Sequence, residues 1–247
     1  MTVGSKSELN GMRRVGRLVA DAHAHLARQV KVGITTAELD ELGAKFIRAR
    51  GGRSAPQLTY RFPGFNLISV NDQIVHGVPG GRALQRGDLV KLDITVELDG
   101  FVADAARTIA MAGAPEVARR LARCARRAFT AAMVEAQDGR PLRGIGRAIE
   151  QEVVRDGFVV VRELTGHGVG RTIHESPAVL NYEDPNDRVM LREGMVLAVE
   201  PIITERPART VEERDGWTIR TRNHALSAHY ENTILVQQGR PLILTAA

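Results

Sequence analysis

The chain has 247 residues, 43% hydrophobic and 26% charged, the balance of a globular chain with a sizeable core rather than a disordered, fibrous or membrane-solvated one. No stretch approaches the roughly 18 apolar residues of a membrane span, and the first residues hold no apolar run of signal-peptide length. A lone cysteine, Cys124, excludes an intrachain disulfide and a thiolate zinc site and suits the cytoplasm. A net charge of +5 is too modest to commit the chain to a polyanion, and 4% aromatic residues are too few for a base-stacking platform.

Apolar residues recur at helical spacing from Leu9 through Met12, Val15, Val19 and Leu26 to Val30, predicting a helix over 7–31. Thr35 with Glu38 three positions on predicts the capped start of a second helix, which carries Leu39, Leu42, Phe46 and Ile47 and ends at Gly51-Gly52. Pro, Gly and Ser predict a loop over 53–66. Strand-like runs follow at 67–70, 89–98 and 101–111, helical patterns return over 116–137 and 143–155, and further strands are predicted within 159–164, 195–204, 217–221 and 233–236. Helices then strands, twice over, predicts one α+β domain over 1–247 with similar halves 1–112 and 113–247. Helices would cover one side of a mostly antiparallel sheet.

Asp99-Gly100 between two β-rich runs is a two-residue hairpin signal. With that turn, Leu98 opposes Phe101, Thr95 opposes Asp104 and Asp93 opposes Ala106. Asp93 and Asp104 thereby become diagonal neighbours on one face. Carboxylates so close repel unless protons or a cation compensate. Glu200 lies inside the apolar run MVLAVEPII, and Glu231 heads TILV after His229 and Tyr230. A lone buried carboxylate in such a run is costly, so each requires a partner. His167 stands between glycines in GHGVG, where it reads as a loop residue by itself and as a ligand beside four acids. The candidate ligand set is Asp93, Asp104, His167, Glu200 and Glu231. Four carboxylates exceed the charge of one divalent ion, which predicts a dinuclear site. Oxygen-rich ligation with one imidazole suits Mn, Fe(II), Co or Zn and predicts metal-assisted hydrolysis.

These segments resemble type I methionine aminopeptidases in their minimal bacterial form. The match comprises SVNDQIVHGVPG with His76, KLDITVELDGFVADAART with Asp93 and Asp104, GHGVGRTIHESP with His167 and His174, GMVLAVEPI with Glu200, and WTIRTRNHALSAHYENTILV with Trp217 and Glu231. The resemblance implies a pita-bread fold, two pseudo-symmetric halves with a curved sheet covered by helices, and two divalent ions on the five candidate ligands. It implies removal of the initiator methionine from nascent polypeptides whose second residue is small and uncharged. His76 would contact the scissile amide, His174 the substrate carbonyl, and Glu200 would also shuttle a proton. Thr95 would orient the ligands from beside Asp93. Phe62 and Trp217 match walls of the methionine pocket, Leu67 and Thr59 stand where relatives often carry Cys and Tyr, and Ala105 replaces a small hydroxyl residue, which puts metal affinity in question.

The remaining singled-out residues have plainer readings. His23 and His25 are expected to be solvated, His229 to lie at a strand edge, and Cys124 to be a small buried hydrophobe. Arg119, Arg123, Arg126 and Arg127 form a helical stripe read as a solvated face, with ribosomal RNA as its alternative partner. A monomer is expected. The competing functional class is a catalytically inactive pita-bread protein that binds ribosomes or nucleic-acid assemblies; such a protein has no use for buried acids.

Overall fold

The computed structural model describes residues 1–246. Helix α1 (Lys6–Ala27) starts where the Ser5 side chain accepts the Glu8 N–H, and it buries Met12, Val15, Val19 and Leu26. Helix α2 (Thr36–Arg48) opens on the expected capping box: the Thr35 hydroxyl accepts the Glu38 N–H, and Glu38 accepts the Thr35 N–H. Segment 53–66 departs from expectation. It holds β1 (Arg53–Ser54) and α3 (Ala55–Tyr60), because Ser54 caps the Gln57 N–H and Pro56 sits in the first turn, where proline's fixed φ favours a helix. The same Ser and Pro that suggest a loop are here a helix start.

Strands β2 (Leu67–Val70), β3 (Gln73–Val75), β4 (Leu89–Leu98) and β5 (Phe101–Ala110) follow. The β4–β5 hairpin turns at Asp99 (φ 53°) and Gly100 (φ 79°), both left-handed as a type I′ turn requires, and pairs Leu98 with Phe101, Thr95 with Asp104 and Asp93 with Ala106. Across β4's other edge, β2 places Leu67 opposite Asp93. Helices α4 (Glu116–Glu135) and α5 (Arg143–Arg155) agree closely with their predicted spans.

The later strands are β6 (Val159–Val160), β7 (Gly166–Gly168), β8 (Glu175–Val179), β9 (Val196–Val199), β10 (Ile202–Thr204), β11 (Thr210–Glu212), β12 (Ile219–Thr221), β13 (Ser227–His229), β14 (Asn232–Leu235) and β15 (Leu242–Ile243). Every described pairing is antiparallel, but the strands form four ladders rather than one sheet: β1-β4-β2 with β5 on β4, β13-β10-β6, β11-β12-β3 and β15-β14-β9-β7-β8. Run 195–204 is interrupted at Glu200-Pro201, where proline has no N–H to continue the ladder. Strand β9 is apolar on both faces because Val196 joins the core beneath α1 and α2, while Leu197 joins the core beneath α4 and α5.

Candidate metal centre

Strand register brings the acids together. Asp93 and Thr95 project from one face of β4, with Asp104 opposite Thr95 on β5. Glu200 follows β9 and Glu231 precedes β14. Val199 pairs with Asn232, Ile202 pairs with His229, and the Tyr230 N–H donates to Pro201 O at 3.2 Å, so one register runs through both interruptions and sets Glu200 against Glu231. The Glu231 N–H donates to Ala106 O at 2.9 Å and couples this pair to β5. His167 comes from β7, opposite Ala198. Its glycine neighbours are required by close packing: a Cβ on Gly166 would lie 2.4 Å from Ala198 O and one on Gly168 2.3 Å from Ser176 O, so the adjacent strands leave no room for side chains.

His167 Nε2 lies 3.5 Å from one Glu200 oxygen, and His229 Nε2 lies 3.4 Å from the other and 3.5 Å from Glu231. Two donor sets form, Asp93 with His229 and Glu231, and Asp104 with His167 and Glu231; within each, the donor atoms lie within 4.8 Å of one another. Oxygen atoms of Asp93, Asp104 and Glu231 are buried without a hydrogen-bond partner. Burial, reinforced by neighbouring acids, pushes the Asp93 and Glu231 carboxyls well above their usual range, and burial drives Glu200 up to about 8. Desolvation pulls His229 down to about 3 and leaves it a neutral imidazole. Inward-facing carboxylate oxygens without donors, beside imidazole nitrogens, fit divalent cations.

The acids close one end of a cavity of about 660 Å³. Phe62, Leu67 and Trp217 line it, Phe62 and Trp217 meeting edge to face with ring centroids 5.3 Å apart. His76 lies in the wall with φ 58°, and burial lowers its pKa. His174 lies at the mouth, its ring 4.3 Å from that of His167; burial pushes its pKa down to about 4. Its Nδ1 is 2.5 Å from the Tyr60 hydroxyl.

Residues 10–238 match the family described as metallopeptidase family M24. The chain belongs to that family. It is 38% identical to methionine aminopeptidase 2 of Bacillus subtilis over 99% of both chains, and 39% identical to a methionine aminopeptidase of Clostridium perfringens over 98% of this chain and 97% of the relative. The solved methionine aminopeptidase of Rickettsia prowazekii superposes with a TM-score of 0.94 at 34% identity, over 99% of this chain and all of that one. A prolidase from Pyrococcus furiosus, 20% identical, superposes at 0.80 over 66% of its length and shares the fold alone. The architecture is the pita-bread fold of these M24 enzymes. M24 metallopeptidases use divalent metal, consistent with the two donor sets.

Around this centre the sequence reading needs five corrections. Thr59 is exposed and outside the cavity wall; the neighbouring Tyr60, at the end of α3, lines the cavity instead while staying partly open to solvent. His229 is 2% exposed between Glu200 and Glu231 rather than at a solvated strand edge. Its position two residues before Glu231 is the only sequence signal for that placement. His23 is buried rather than solvated; its Nε2 is 2.7 Å from Ala105 O, and desolvation lowers its pKa to about 3. The Ala105 side chain sits opposite Ile94 in the apolar core, on the other face of β5 from Asp104, so a hydroxyl there would not point at the acids. Thr95 lines the cavity, but among the described residues its hydroxyl makes no hydrogen bond to Asp93 or Asp104; Thr233 instead holds the Asp104 main chain at N and O. Cys124 is buried as expected, and burial pushes its thiol up to about 12. In the arginine stripe, Arg119 and Arg123 pair with Glu116, and Arg127 with Glu152 and Asp156.

Proposed function

We propose that the chain removes an N-terminal methionine from polypeptides whose second residue is small and uncharged, using two divalent ions held by Asp93, Asp104, His167, Glu200 and Glu231. The observation that carries this reading is the set of inward-facing, unpartnered carboxylate oxygens at the closed end of an apolar cavity. Divalent ions there supply Lewis acidity and lower the pKa of water at neutral pH. Phe62, Leu67 and Trp217 exclude water around an unbranched apolar side chain, and the carboxylates draw the free α-amine to the closed end. His76 meets the scissile amide. With Nδ1 occupied by Tyr60, His174 has Nε2 left for the substrate carbonyl, where charge develops as the tetrahedral centre forms. Glu200 holds a proton on a carboxylate oxygen and delivers it to the leaving amine.

The chain is read as a single catalytic domain with halves 1–112 and 113–247, acting as a cytoplasmic monomer on nascent chains. Contact with ribosomal RNA falls to the α4 stripe, where Arg126 is exposed and, among the described residues, makes no ion pair, while Arg119, Arg123 and Arg127 share their charges with acids. Binding to ribosomes that weakens steeply with salt tests that contact. The inactive-protein reading is disfavoured because the four acids persist where a binding module has no use for them.

The deciding experiment measures free methionine released from Met-Ala-Ser and from Met-Lys-Ser by metal-stripped protein resupplied separately with Mn, Co, Fe(II) or Zn. Cleavage of the first peptide alone, dependent on added metal, is expected. No cleavage by folded protein with any of these ions would overturn the reading.

A further inference from the structure

Lys91 is 1% exposed and heads the fully buried side chains by volume. It lies on β4 two residues before Asp93, on the same face by strand alternation. A buried amine requires acceptors. Its Nζ donates to Asn71 O at 2.8 Å and to Ser227 O at 3.1 Å, and among the described residues no carboxylate lies within ion-pair distance of it.

Both acceptors are main-chain carbonyls on separate segments that lead into the cavity. Asn71, with left-handed backbone (φ 56°), leads through β3 to His76, also left-handed at 58°. Ser227 opens β13, which ends at His229 between Glu200 and Glu231. Ser227 also contacts the first segment directly, its hydroxyl 3.1 Å from both Asn71 O and Gln73 O. The Lys91 amine therefore stands where three segments meet, those carrying Asp93, His76 and His229.

We infer that Lys91 is a positioning residue, whose amine ties the segments bearing His76 and His229 to β4 so that both imidazoles keep their places against Asp93. The acceptors are neutral carbonyls, so the amine acts as a paired donor, and two donated bonds are available to it in either protonation state. An apolar side chain of similar length fills the same space and loses the tie. This inference rests on the aminopeptidase reading above, which the wild-type rate in the same assay tests on its own.

The test uses full-length, metal-loaded protein and Met-Ala-Ser. Lys91→Met should keep the thermal midpoint close to wild type and bind as much metal, while kcat falls about 10- to 100-fold, the scale of a misplacement near 1 Å, with little change in KM. Its cobalt form should show an altered visible absorption spectrum, because His229 lies against the Glu200 and Glu231 carboxylates and shifts them when it moves. Lys91→Ala, which leaves a cavity, should be less stable but lose kcat alike, and n-propylamine, the missing end of the side chain, should restore its kcat, whereas n-propanol should not. Wild-type kcat in Lys91→Met, or equal rescue by n-propanol, would make Lys91 a space-filling residue and overturn the inference. Failure of both variants to fold, with or without n-propylamine, would assign Lys91 to the whole fold and overturn it as well.

Discussion

At the entrance to β4, Asp88 is 5% exposed, and burial alone would raise its pKa, yet Arg82, the Gln85 N–H and the Asn71 amide all donate to it and hold it below the usual carboxylate range. Further along the same strand, Asp93 faces Asp104, Glu200 and Glu231, receives no such set of donors, and is pushed well up. The same residue type shifts in opposite directions: donors and a guanidinium outweigh burial at Asp88, while burial and neighbouring acids act together at Asp93. A fold that surrounds Asp88 with N–H groups gives, among the described residues, no such set to Asp93, Asp104 or Glu231, which is the contrast the proposed ligand role requires.

The comparison breaks first at the ligands. Asp104→Asn or Glu231→Gln should lose at least one ion and on the order of 10³-fold in kcat, seen by elemental analysis beside turnover. Full activity in either variant would sink the ligand assignment. Next in size, His174→Ala should keep its metal and lose about 10²-fold in kcat, the scale of one oxyanion donor; unchanged kinetics would remove the role given to its Nε2. Asp88→Asn should do the reverse, keeping metal content and turnover while losing about 1–3 kcal/mol of stability in denaturant titration, because Arg82 is left without its charged acceptor.

The smallest effect is a pH dependence in the metal-free protein. Glu200 titrates near 8 in the fold against a usual 4.5, so over that interval the folded chain holds a proton that the unfolded chain has released. Its contribution to stability is full below the unfolded value and is lost as pH rises through about 8. Between about pH 5 and pH 8, metal-free wild type should therefore lose about 5 °C or more of thermal midpoint relative to Glu200→Gln. Parallel profiles would show that Glu200 is already ionised and paired.

Much of the centre is legible in the chain because it depends on short-range rules. Asp99-Gly100 fixes the hairpin and hence which residues face Asp93 and Asp104, and an acid inside MVLAVEPII is conspicuous by its cost. The rest depends on distant partners. His229 becomes a site residue only because β13 pairs with β10 and sets it against Glu200. His23 is buried where α1 packs on β4 and β5, and its partner there, Ala105 O, lies far along the chain. Thr59 and Tyr60 exchange roles through the orientation of a short helix that local composition disguises as a loop.

The sequence alone determined the helices, the principal hairpin, the five ligand candidates and the family resemblance, because periodicity, turn chemistry and the cost of burying charge act over a few residues. Tertiary structure decided which buried polar groups find partners. It made Asp88 and Lys91 satisfied and left Asp93 and Glu231 waiting, because hydrogen-bond satisfaction inside a protein depends on groups that only folding brings within about 3 Å of one another.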